Sequence, residues 1–155
     1  MKRQFTDASA LWAILPLVFF LLVSASSCSV RLLPDYDSSL AEDILKVSMD
    51  IDRFYSRMLE LSVSGTDERA YQNFGSEYIE IELAIRSLYL RNSIRPLNKQ
   101  STRISEIALE LWQKYKNEHK EDELISDGEI ILNRTYMLDL FKTMLAAEEW
   151  KPESQ

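Results

Sequence analysis

The sequence predicts an all-α protein, an antiparallel up-down-up-down four-helix bundle placed after an N-terminal signal peptide. Three observations carry that prediction. Apolar side chains recur at three- and four-residue steps through four successive stretches between Leu40 and Leu145, the spacing that keeps one face of a helix against a core. Only 3 glycines and 4 prolines interrupt the 155 residues, too few for the turns of an all-β chain. The breaks between the stretches are short, which favours antiparallel neighbours crossing near ~20°.

The first element in chain order lies outside that bundle. Lys2 and Arg3 precede an unbroken apolar run, LWAILPLVFFLLV from Leu11 to Val23, followed by Ser24-Ala25-Ser26-Ser27-Cys28. A basic start, an apolar middle of this length and a small-residue end form the pattern of a secretory signal. At a rise of ~1.5 Å per residue the run covers only ~20 Å, short of the ~30 Å hydrocarbon core. The uncharged stretch from Ala8 to Val30 is long enough to span if it stays uncleaved, so a signal-anchored membrane subunit remains an alternative.

Cys28 distinguishes the variants of this signal. The tetrad Ala25-Ser26-Ser27-Cys28 resembles the lipobox of bacterial lipoprotein precursors, in which small residues precede a cysteine that is acylated on sulfur before cleavage. The resemblance covers residues 1–29 and implies a processing pathway: a signal peptide over residues 1–27, lipid attachment at Cys28, and a tether over 28–37. In a Gram-negative host, Ser29 after the cysteine implies sorting to the outer membrane, facing the periplasm. Cys28 is the only cysteine, so the chain has no intramolecular disulfide and relies on its apolar core.

Residues 29–37, SVRLLPDYD, contain a proline and no helical period, as a short tether would. The bundle is expected over 38–150. Helix one begins at Ser38 or Ser39, because Ser39 and Glu42 are spaced as a capping box, and Leu40, Ile44, Val47, Ile51, Phe54, Met58 and Leu61 line its inner face. Ser64-Gly65-Thr66 ends it, with Gly65 suited to a left-handed C′ position and Thr66 or Asp67 suited to cap the next helix. Helix two then carries Tyr71, Phe74, Tyr78, Ile81, Ile85 and Leu88 and stops before Pro96, whose ring disfavours helix at Arg95. A loop from Ser93 to Gln100 leads to helix three, capped by Ser101 or Thr102, with Ile104, Ile107, Ala108, Leu111 and Tyr115 inward. The charge run from Lys116 to Glu123 reads as its end and a solvated turn. Ser126-Asp127-Gly128-Glu129 supplies a second capping box for helix four, where Ile130, Arg134, Met137, Leu138, Phe141, Met144 and Leu145 share a face. Trp150 and Pro152 close the ordered part, leaving 151–155 as a tail. An even helix count returns the C-terminus to the tethered end.

Charge excludes one class of partner. The net charge is −7, and without residues 1–27 the chain keeps 16 basic and 24 acidic side chains, a net −8. Nucleic-acid affinity rests on clustered Lys and Arg releasing counterions, so a nucleic-acid partner is not expected, and attachment to a membrane should come from lipid and not from a basic face.

No constellation for catalysis, cofactor or metal stands out. His119, the only histidine, lies among Lys116, Asn117, Glu118 and Lys120 and is expected on the surface. The Glu-x-x-His pairs of di-iron bundles are absent, since Lys116 stands three residues before His119. Among Glu77, Glu80 and Glu82, helical spacing sends Glu80 and Glu82 to different faces, and Glu82 sits one turn before Arg86 as a surface ion pair. Arg134 lies near the core side of helix four. Its stem packs while its head reaches solvent or a carboxylate, or it joins a buried network with an acid of helix one such as Asp50. Tyr71, Phe74, Tyr78, Tyr89 and Trp112 could line a ligand cleft, though aromatic residues at helical spacing more often form core.

The expectation is therefore a non-enzymatic cell-envelope lipoprotein acting as an accessory, adaptor or inhibitory binding module, with the membrane holding its lipid and a protein partner in the envelope. A small-molecule-binding bundle is the alternative. In architecture the chain resembles small helical bacterial lipoproteins, among them the pilotins of secretion systems, which capture a partner helix. No motif beyond the lipobox supports that likeness, and pilotins have a second cysteine that this chain lacks.

Overall fold

Burying four apolar stripes at once requires four helices to face a common axis, and the computed structural model, which describes residues 32–153, has that arrangement. In chain order it contains α1 (Ser38–Leu61), two short 3-10 turns (Asp67–Arg69 and Tyr71–Asn73), α2 (Gly75–Ile94), α3 (Lys99–Asp122) and α4 (Asp127–Glu149). The core takes Leu40, Ile44, Val47, Ile51, Phe54 and Met58 from α1, and Tyr78, Ile81, Ile85 and Leu88 from α2. Ala108, Leu109, Trp112 and Tyr115 come from α3, and Ile130, Met137, Phe141 and Met144 from α4. On α3 the stripe is turned from the expected one, with Leu109 and Trp112 buried and Ile107 and Leu111 only half-buried.

Ion pairs between helices define the direction of each. Arg91 near the end of α2 bonds Asp43 and Asp37 at the start of α1, while Arg57 near the end of α1 bonds Glu77 in the first turn of α2. Glu82 joins α2 to Lys116 and Gln113 of α3, and Arg134 joins α4 to Asp52 of α1. Consecutive helices are antiparallel, and α4 closes the square against α1.

Several boundaries differ from the sequence reading, each for a local reason. The N-cap of α1 is Asp37, whose carboxylate accepts from the Leu40 amide at 3.0 Å. A capping box at Ser39 and Glu42 is not needed, because the Asp37 amide is already bonded to Glu148 at 3.0 Å. α1 ends at Leu61, where Ser62 turns extended, so Gly65 takes its positive φ of 78° in the following turn and not at C′.

α2 starts at Gly75, not at Thr66 or Asp67. Ala70 is extended, and two groups needed for a continuous helix are engaged elsewhere: the Tyr71 amide donates to the Glu123 carbonyl at 3.1 Å, and the Arg69 carbonyl binds His119. α3 starts at Lys99, ahead of Ser101 and Thr102, and continues through the charge run to Asp122, where Glu123 leaves the helix at φ 62°. That run is held because Lys116 is paired and His119 is buried. For α4 the capping box is present, with Ser126 and Glu129 bonding each other's amides.

The described residues that flank the helices, 32–37 and 150–153, also lie closer to the bundle than a tether over 28–37 and a tail over 151–155 imply. Tyr36 donates its amide to the Pro152 carbonyl at 2.8 Å, the Asp35 carbonyl accepts from Arg95, and Lys151 is buried.

Candidate functional site

Cys28 and the signal segment of residues 1–27 lie outside the described residues, so the site is built from the bundle end that the chain enters at Leu32. Four helix termini meet there: the start of α1, the end of α2, the start of α3 and the end of α4. Glu148, only 1% exposed, is their hub. Its carboxylate accepts from the Asp37 amide at 3.0 Å, from Arg95 at 3.0 and 3.1 Å, and from the Lys151 ammonium. Lys151 donates onward to the Asn98 side-chain oxygen at 2.8 Å, and the Asn98 amide group donates to the Asn92 side chain at 2.7 Å and to its carbonyl at 3.1 Å. One carboxylate thereby ties the incoming chain, the loop between α2 and α3, and the C-terminal segment together. Burial pulls the Lys151 ammonium below its usual range, against the opposing pull of Glu148.

Around this polar hub, apolar side chains stand exposed beside the polar Lys99 and Gln100. Leu32, Leu33, Ile94, Leu97 and Trp150 are all exposed. An open depression of about 450 Å³ lies among Leu32, Leu33, Leu97, Ile104 and Trp150. Leu97 holds φ at 61°, a left-handed conformation that costs a residue with a Cβ about 1–2 kcal/mol.

The opposite end holds the histidine. Contrary to the expectation of a surface residue, His119 is 2% exposed. Its Nε2 lies 2.8 Å from the Arg69 carbonyl and its Nδ1 3.2 Å from the Tyr78 hydroxyl, an arrangement satisfied by a neutral ring that donates from Nε2 and accepts at Nδ1. Burial lowers its pKa, outweighing the bond to Arg69 and the charges of Glu129 and Asp122. Arg69, also buried, donates to the Ser62 hydroxyl and carbonyl at 3.1 and 2.9 Å and pairs with Asp127. These contacts lock the α1–α2 connection onto the ends of α3 and α4.

The other singled-out residues are structural in position. Phe74, Tyr78 and Trp112 pack on Phe54 with ring centroids 6.0, 4.7 and 5.5 Å away, Tyr71 stacks on Tyr78 at 5.8 Å, and the Trp112 indole donates to the Tyr78 carbonyl at 3.0 Å. The aromatic side chains fill the space between these helices with one another. Tyr89 stands apart and half-buried. Arg134 is partly exposed and bonds Asp52 at 2.7 Å, whereas Asp50 is engaged by Arg53. Glu82 does pair with Arg86 at 2.9 Å; burial opposes its ionisation, but bonds from Lys116, Gln113 and Arg86 lower its pKa overall. Glu77 pairs with Arg57, and Glu80 is exposed.

One further apolar surface is open to solvent. Between α3 and α4, Ile107, Leu111, Tyr115, Tyr136 and Leu140 line an open groove of about 530 Å³ flanked by Lys114 and Asp139. From Ile107 to Tyr115 it runs ~12 Å along α3, about two helical turns.

Among the described residues no helix is long and apolar enough to cross a membrane, and no group of His, Cys, Asp and Glu is placed to hold a metal ion. No protein-family model, curated protein or solved structure matches the chain.

Sequence reasoning missed the Glu148 hub and the burial of His119. A signal was present: Glu148 follows Phe141 and Met144 at seven and four residues, Asn92 follows Ile85 and Leu88 likewise, and His119 follows Trp112 and Tyr115. Each is the polar continuation of an apolar stripe at a helix end, where a helix presents backbone groups that need partners.

Proposed function

We propose that the chain is a non-enzymatic lipoprotein of the bacterial cell envelope, acylated at Cys28, held at the outer membrane facing the periplasm, and acting as an accessory, adaptor or inhibitory binding module. The observation that carries this reading is the order of Lys2-Arg3, the apolar run Leu11 to Val23, and Ala25-Ser26-Ser27-Cys28. A thiol at that point lies at the membrane surface as the signal is processed, and several acyl chains there give stable anchoring where one alone is marginal. The bundle supports the reading in two ways. The segments that flank its helices, residues 32–37 and 150–153, are fastened together at one pole, leaving the sides of the bundle accessible. The α3–α4 groove then offers an apolar strip two turns long, the size of one face of an amphipathic helix from a partner protein.

Metabolic labelling with a palmitate analogue tests the anchor. Wild type should incorporate the label and fractionate with the envelope, and Cys28→Ser should lose both. An unlabelled wild type overturns the reading, and if that chain keeps its full length it favours the uncleaved signal-anchored form.

A further inference from the structure

The bundle end around Leu97 and Trp150 leaves apolar side chains exposed among the described residues, and we infer that it is a seat for the phospholipid surface to which the chain is tethered. The inference rests on the lipoprotein reading and adds to it an orientation: the bundle stands on the bilayer by this end and does not swing free.

Four observations converge. The first is reach. Leu32 is four residues beyond Cys28, and a fully extended chain spans at most ~3.5 Å per residue, so this end lies within about 14 Å of the anchored sulfur. The headgroup zone of a leaflet is itself ~5–7 Å deep, and a longer tether would have removed this constraint. The second is composition: Leu32, Leu33, Leu97 and Trp150 line one depression where the chain enters, with Lys99 and Gln100 at its polar side, and a tryptophan 87% exposed is placed as interfacial tryptophans are, with an apolar body and a polar N–H.

The third is strain. Leu97 keeps a left-handed backbone while its side chain stays 59% exposed, so no intramolecular burial offsets the cost. The loop is held in that state by Asn92, Asn98 and Lys151. The fourth is scale. A stable protein interface uses about 20–30 residues a side, far more than this tip presents, whereas a few apolar side chains beside an existing lipid anchor suffice to orient a domain. With a net charge of −8 after residue 27, the surface expected is zwitterionic rather than anionic.

Trp150 fluorescence provides the test. The acylated chain is extracted from envelopes, its acylation checked by mass, and reconstituted into phosphatidylcholine vesicles with and without bromine on the upper acyl chain. Trp112 is fully buried and Trp12 leaves with the signal peptide, so the difference between wild type and Trp150→Phe reports Trp150. We expect that signal to be blue-shifted and quenched in brominated vesicles. Leu97→Gly, which removes the strain together with an apolar contact, should keep or raise the melting temperature while weakening the quenching. A bromine-insensitive, water-like Trp150 signal from an acylated chain overturns the inference. So does a blue shift without quenching accompanied by a doubled mass in light scattering, which assigns the tip to a second copy. A mass lacking acyl groups sinks the lipoprotein reading and the seat with it, and is recognised before any fluorescence is recorded.

Discussion

Burying a phenol hydroxyl without a hydrogen-bond partner costs about 1–3 kcal/mol, and Tyr55 is in that position. Its side chain is fully buried, its hydroxyl has no partner among the described residues, and burial raises its pKa well above the ordinary phenol value. The ring nonetheless packs edge-on to Phe54 at 5.0 Å and Trp112 at 5.9 Å. Tyr55→Phe keeps those contacts and removes the unsatisfied oxygen, so it should stabilise the fold by about 1 kcal/mol, seen as a higher urea midpoint with an unchanged slope. His119 makes the complementary case, a polar group with both ring nitrogens bonded, whose charged form is disfavoured by burial. Its folded pKa lies below the unfolded value of ~6.5, so the unfolded chain binds the proton more readily. The stability that neutral His119 contributes is complete above about pH 6.5 and is lost as pH falls through the lowered folded value. Urea midpoints should therefore begin to drop as pH falls below about 6.5. His119→Gln should flatten that part of the profile, and an equally steep profile in the variant would assign the proton elsewhere.

The helices differ in how they are terminated, and that sets what a substitution at each end should do. Ser126 and Glu129 form a self-contained cap, so Ser126→Ala should cost about 1 kcal/mol and leave the rest of the bundle untouched. Glu148 belongs to three elements at once. Glu148→Gln removes the carboxylate bonded directly to Arg95 and to the buried Lys151, and breaking such a pair by removing one partner costs about 3–5 kcal/mol. The same variant should speed hydrogen exchange at the Tyr36 and Asp37 amides; a loss below 1 kcal/mol with unchanged exchange would show that the hub does not hold the chain ends. This contrast also explains what could be read from sequence. The apolar stripes of α1, α2 and α4 and the Ser126 cap depend on residues within one turn of each other, so spacing alone exposes them. Asp37 displaced Ser39 as the cap of α1 because of Glu148, 111 residues away. α2 was delayed to Gly75 because His119 took the Arg69 carbonyl, 50 residues away. Spacing can mark Glu148 and His119 as the polar continuation of an apolar stripe, but it names neither the distant groups they bond nor the helix that covers them, so a histidine within a run of charges looks solvated.

At the scale of the bundle, four antiparallel helices bring the segments that flank them, residues 32–37 and 150–153, to one pole, and the polar hub there ties these to each other. A lipid on Cys28 would thus load the bundle at a single pole, with the apolar tip against the bilayer and the α3–α4 groove on the side, open to a partner. If the groove binds a helix, Tyr136→Ser, at a half-exposed position on its rim, should leave thermal stability within about 0.5 kcal/mol while reducing recovery of the partner in crosslinking from intact envelopes. The whole arrangement depends on where the chain is attached. The most direct measurement is the intact mass and N-terminal fragment of the protein isolated from envelopes. The account predicts a chain beginning at Cys28 and carrying acyl groups; a chain beginning at Met1, or at an unmodified residue, would contradict it.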